Sequence, residues 1–223
     1  ADMFAAPVET KETQITRVEN NGHAMAPYMM SVALWVGCIA FSLMYPLTKY
    51  SGKLKSGLAW WGSKASVLYL IALLQAAVMI FMLHLCDGFE PVEMGKTLAV
   101  ACLASVAFMS VMYFFTNTFG KVGSFLMLVF MVIQLAGSVG TYPLELSGSF
   151  VPYLHDWVPF TYTVEAFRST ISEGKIIQKA VIFLTVLWIV FTLLTILEFQ
   201  IRTLKMKRGK RTLDNWLEEK GLA

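Results

Sequence analysis

Ala65-Ser-Val-Leu-Tyr-Leu-Ile-Ala-Leu-Leu-Gln-Ala-Ala-Val-Met-Ile-Phe-Met-Leu-His-Leu-Cys86 decides the fold of this chain. The stretch contains no Asp, Glu, Lys or Arg, and it is flanked by Lys64 on one side and Asp87 on the other. A helix rises about 1.5 Å per residue, so about 20 apolar residues cross a ~30 Å hydrocarbon core. Working outward, four further runs approach the same length: Pro27–Leu47, Gly95–Thr116, Val122–Gly140 and Ile176–Phe199. The reading is an all-α membrane protein of five transmembrane helices. Hydrophobic residues make up 57% of the 223 and charged residues 15%, with a mean hydropathy of +0.61. A soluble domain is usually about a quarter charged, which leaves little room for a soluble enzyme.

The charges between the runs give an orientation. With the N-terminus outside, the inner segments hold Lys49, Lys53, Lys55, Lys64, Lys121 and the basic cluster from Arg202 onward, 12 of the 18 Lys and Arg residues. The outer segments hold 11 of the 15 acids, among them Asp87, Glu90, Glu93, Asp156 and Glu165. Excess Lys and Arg marks the cytoplasmic side, so the N-terminus is expected outside and the C-terminus inside. The first 25 residues are polar and mixed in charge, without the basic-then-apolar order of a signal peptide. They read as an extracellular stalk descending from an upstream ectodomain, with the chain as a piece of a longer protein. Residues 26–201 then form the membrane domain and 202–223 a basic cytoplasmic tail. Lys205-Met-Lys-Arg-Gly-Lys-Arg211 is expected to rest on anionic lipid rather than on nucleic acid.

Two loops stand out. Thr48–Lys64 carries four lysines and Trp60-Trp61, and Trp favours the headgroup level. The expectation is a short helix along the inner surface, either a lipid-anchored interfacial loop or a docking surface, with Lys53, Lys55, Trp60 and Trp61 as the candidate coupling residues. Tyr142–Gly174 is long, aromatic and broken by Pro143, Pro152 and Pro159. Each proline lacks an N–H and disfavours helix in the residue before it. This segment should dip into the outer leaflet as short helices, partly re-entrant, because bare backbone survives there only inside protein or beside water. Within it, Trp157, Glu165 and Arg168 are candidates for an outer vestibule, with Glu165 and Arg168 spaced to pair.

Inside the runs the polar candidates are Gln75 and Gln134. Each lines a path or makes an interhelical hydrogen bond. Gly137, Gly140 and Pro143 mark a close approach or an unwinding at the end of the fourth run. Without a deeply placed acid, a proton- or sodium-coupled pump is disfavoured. The three cysteines and three histidines show no metal spacing. No Ser/His/Asp set, paired carboxylates or phosphate loop is present, so no catalytic role, cofactor or metal is assigned, and any ATP hydrolysis would belong to another chain.

Three segments carry a family resemblance: Ala26-Pro-Tyr-Met-Met-Ser-Val-Ala-Leu-Trp-Val-Gly37, Gln134-Leu-Ala-Gly-Ser-Val-Gly-Thr-Tyr-Pro143 and Val158-Pro-Phe-Thr-Tyr-Thr-Val-Glu-Ala-Phe-Arg168. Together they resemble the C-terminal membrane domain of the YhgE/Pip (phage infection protein) family, within the ABC-2 type permease-like group. The resemblance implies a bacterial plasma-membrane protein, a homodimer, and a missing first helix and ectodomain. It implies outward movement of a hydrophobic or amphipathic cargo, with the Thr48–Lys64 loop meeting a separate ABC ATPase. It also admits another role, as the anchor of a large ectodomain serving type VII secretion or phage attachment.

Overall fold

The computed structural model describes residues 21–47, 56–138, 151–173 and 177–207. Every element among them is helical: α1 (Asn21–Met44), α2 (Gly57–Asp87), α3 (Met94–Phe119), α4 (Lys121–Gly137), α5 (Val151–His155), α6 (Pro159–Arg168) and α7 (Gln178–Lys207). A π turn, Ser169–Glu173, continues α6. The helices α1, α2, α3 and α7 are long and apolar enough to cross a membrane, and α4 is shorter at 17 residues. The end at which α1, α3 and α7 begin is named the outer end, after the charge asymmetry.

Helix boundaries moved where packing outweighed composition. The first helix starts at Asn21 rather than Pro27, which now lies inside α1, with Ser31 Oγ donating to the Pro27 carbonyl at 2.8 Å. The second starts at Gly57 rather than Ala65. Its N-cap is Ser56, whose hydroxyl accepts the Ala59 N–H at 3.1 Å, satisfying one of the four free N–H groups of a helix start. Trp60 and Trp61 are therefore in the first turns of a spanning helix, not on a surface helix. Gly57 makes this possible, since a Cβ there would stand 2.7 Å from the Phe199 carbonyl oxygen and clash with α7 backbone. The last helix runs on to Lys207, eight residues past the expected Phe199.

At the centre is α3, with half of its 26 residues buried against seven of 31 in α2. It packs on α1, α2, α4 and α7. Lipid tails are as apolar as leucine, so burial of apolar surface alone does not bring such helices together; close packing of small residues does. The buried faces fit this rule, with Ala72 and Ala76 on α2 and Ala101, Ala104, Ser105 and Ala107 on α3. The turn from α3 to α4 is one residue, Gly120 at φ 59°, a conformation open to glycine at little cost.

The outer segment is broken, as its prolines require. α5 and α6 form a hairpin in which Pro159 opens the second helix, a favoured place for proline. Phe160 reaches Trp35 (ring centroids 5.6 Å) and Phe108 (5.8 Å), and Trp35 meets Phe108 at 4.9 Å. Trp35 and Phe108 each stand 14 residues from the outer start of their helices, about 20 Å along the axis. The start of α6 therefore lies near mid-depth, and the helix climbs outward. Its far end is held by two backbone bonds, Val92 N–H to Ile171 O and Glu93 N–H to Thr170 O, both 3.1 Å.

Candidate transport path and outer vestibule

At the inner end, Lys53 and Lys55 lie outside the described residues. Trp60 is 4% exposed, its ring set edge-on against Phe199 at 4.9 Å. The ring is taken up by α7 rather than presented on the inner surface. Trp61 is half-buried, and its carbonyl accepts from the Tyr113 hydroxyl at 3.3 Å. Lys64 donates to the Pro46 carbonyl at 2.7 Å and stands 4.9 Å over the Tyr45 ring, tying the two ends of the inner loop.

Gln75 is a tie between three helices. Its Nε2 donates to Ser105 Oγ at 2.7 Å on α3, and to the Leu34 carbonyl (3.2 Å) and Cys38 Sγ (3.1 Å) on α1. Ser105 Oγ in turn donates to the Ala72 carbonyl at 2.7 Å on α2. Gly37 leaves the room, because a Cβ there would lie 2.3 Å from the Gln75 side-chain oxygen. Such bonds contribute about half a kcal/mol each in membranes, at most about 1.7. Gln75→Leu is expected to lower stability by about 1 kcal/mol and to leave transport intact. Thermal unfolding in detergent beside a transport assay checks this; lost transport at normal stability would put Gln75 on the path instead.

Gln134 shares no hydrogen-bond partner with Gln75. It is fully buried, and neither its amide oxygen nor its nitrogen has a partner among the described residues. Its place is bracketed on one face of α4. Phe130, four residues inward, meets Trp35 at 5.8 Å; Gly137, three outward, faces Leu154 and Val158 of the hairpin, where a Cβ would stand 2.9 Å from a Leu154 methyl. The Gly137 carbonyl lies 3.0 Å from His155 Nδ1, the donor of that pair. Gln134 and Gly137 thus sit where α4 meets the re-entrant hairpin. Gly140 and Pro143 fall outside the described residues.

At the outer end, Trp157 is 79% exposed. Glu165 and Arg168 are both exposed and form no ion pair with each other, so the expected pairing is corrected. Glu165 instead lines a cavity between α6 and the start of α7.

A family model described as an ABC-2 family transporter protein matches residues 3–197. The chain belongs to the ABC-2 transporter family. It is a permease-like, multi-pass protein of the cell membrane. It is also 36% identical over 172 residues to YhgE of Bacillus subtilis strain 168, described as an uncharacterized protein. The aligned region is 77% of this chain and 22% of that relative, so the chain spans about a fifth of its length. No solved structure matches.

One polar cluster of this ABC-2 domain went unread in the sequence. Just beyond the matched region, Arg202 is 5% exposed and its guanidinium meets Glu198 Oε1 at 2.5 Å and the Asn117 carbonyl at 2.8 Å. Glu198 Oε2 accepts from the Thr118 hydroxyl at 2.7 Å. The cluster binds the inner ends of α3 and α7 together. Arg202, expected as the first base of the cytoplasmic tail, lies inside α7 and is buried. The signal was available as Glu198 and Arg202 four apart, a spacing that pairs only if the helix continues.

Proposed function

We propose that this chain is the membrane domain of an exporter that moves a hydrophobic or amphipathic cargo outward, as a homodimer powered by an ABC ATPase on a separate chain. The observation that carries this reading is the re-entrant hairpin, whose Phe160 stands near mid-depth on Trp35 and Phe108. Non-helical backbone at that depth is tolerated where it is enclosed by protein or lines a cavity. A hairpin of this kind, entering from the outer end and secured there by two backbone bonds to the α2–α3 turn, is suited to part and close an outward exit. Among the described residues, the Asp, Glu, Lys and Arg side chains of the long helices fall within three turns of a helix end: Lys64, Asp87, Lys96, Lys179, Glu198, Arg202, Lys205 and Lys207. An ion-driven pump usually needs an intramembrane charge, so the energy is assigned to a partner, and the chain itself to no catalysis or cofactor.

The test is a pull-down of the full-length protein in mild detergent, with native mass determination. An ABC ATPase that copurifies with wild type, and is lost from a Lys53→Glu, Lys55→Glu variant that still folds, is the expected result. Recovery of a bare homo-oligomer, or of secretion components alone, would overturn it in favour of the anchor role.

A further inference from the structure

We infer that the cavity between α6 and the start of α7 binds a zwitterionic phosphate–ammonium headgroup, carried by an outer-leaflet lipid. The cavity has a volume of about 330 Å³; Glu165 and Ser169 line it from α6 and the π turn, Gln178 and Lys179 from α7, and Ala166 and Ala180 floor it. One turn inward the two helices are joined by the Tyr162 and Phe183 rings, stacked at 3.8 Å. Polar chemistry thus ends on an aromatic seal, and the cavity is a defined recess.

Its two sides carry opposite charge. The first bond within α7 runs from Val181 N–H to Ile177 O, so the N–H groups of Gln178, Lys179 and Ala180 have no partner inside the helix. They and the helix dipole present partial positive charge, to which the Lys179 ammonium adds a full one. Across the recess stands the Glu165 carboxylate, and the two side chains make no ion pair with each other. Ser169 is only 7% exposed, faces the same recess, and its hydroxyl has no hydrogen-bond partner among the described residues. A simple anion would gain Lys179 but face Glu165. A simple cation would gain Glu165 but face the helix start. A phosphate joined to an ammonium satisfies both, phosphate on the α7 side and ammonium on Glu165, with the Ser169 hydroxyl free to donate.

A lipid is favoured as the source because an apolar stripe leads away from the cavity down α7. Ile182, Val186, Ile189 and Leu193 are all exposed and recur at helical spacing on one face, where an acyl chain can lie. The inference rests on the recess itself and holds whether the lipid is cargo or a fixed component.

The experiment uses full-length protein in detergent, titrated calorimetrically with short-chain phosphatidylethanolamine, short-chain phosphatidylglycerol and free phosphoethanolamine. Wild type should favour phosphatidylethanolamine over phosphatidylglycerol by about fivefold, the upper range for an exposed ion pair. Glu165→Gln should abolish that preference, and Lys179→Gln should weaken both lipids. Both positions are exposed, so both variants should unfold with wild type. Equal binding of the two lipids by wild type, or a preference that survives Glu165→Gln, would overturn the site. Free phosphoethanolamine binding as tightly as the lipid would overturn the lipid as its source.

Discussion

Glu198→Ala is expected to destabilise the protein by about 3–5 kcal/mol, the cost of leaving one member of a buried ion pair without the other. Arg202 is 5% exposed, its guanidinium divided between the Glu198 carboxylate and the Asn117 carbonyl. With the carboxylate gone, the guanidinium keeps the Asn117 carbonyl but loses its neighbouring negative charge at a position only 5% exposed. The Thr118 hydroxyl loses its contact with Glu198 Oε2 and falls back on the Phe114 carbonyl, also 2.7 Å away. The prediction separates breaking the pair from removing it. Glu198→Leu with Arg202→Met replaces both charges by apolar groups, and such replacements are often neutral or stabilising. Thermal unfolding in detergent should therefore rank wild type and the double variant together, with Glu198→Ala well below. If the single variant unfolds with wild type, Arg202 reaches water and the pair does not bind α3 to α7.

What was legible in the sequence followed from the bilayer, and what was not followed from contacts between distant segments. Apolar length and charge asymmetry depend on neighbouring residues only, so the helical class, the five runs and the proline-broken outer segment could be read directly. The ends of the helices could not. Lys64 and the two tryptophans look like an interface when residues are weighed by headgroup preference. The same residues extend α2 once Gly57 lets it approach α7 and Trp60 finds Phe199. Arg202 likewise reads as the first base of the cytoplasmic tail unless the helix is known to continue one turn beyond Glu198. The candidate site divides on the same line. The glutamines could be singled out as polar residues in apolar runs. That Gln75 ties three helices depends on Gly37 and Ser105, 38 and 30 positions away, and no local pattern contains them. Gln134 has no hydrogen-bond partner among the described residues, which only the packed structure can show.

Gly123→Ala is expected to cost about 3 kcal/mol or more, at the upper end for overpacking, although it adds a single methyl group. A Cβ at position 123 would stand 2.0 Å from the Phe115 carbonyl oxygen, 2.5 Å from its carbon and 3.1 Å from the Thr116 nitrogen. All three are backbone atoms of α3, so no rotamer change relieves the clash. The helices would have to part, yet the one-residue turn at Gly120 holds their inner ends together. Parting them would also strain the bond between the Thr116 and Ser124 hydroxyls, now 3.0 Å. Gly62→Ala is the control, since nothing lies within 4 Å of a Cβ there. Alanine is favoured over glycine inside a helix by about 0.5–1 kcal/mol, so that variant should unfold at or above the wild-type temperature. Opposite signs from one substitution at two helical glycines would locate the constraint in the α3–α4 contact rather than in helix propensity. If Gly123→Ala unfolds with wild type instead, the two helices do not meet backbone to backbone, and α4 is free to move against the central helix without first breaking that contact.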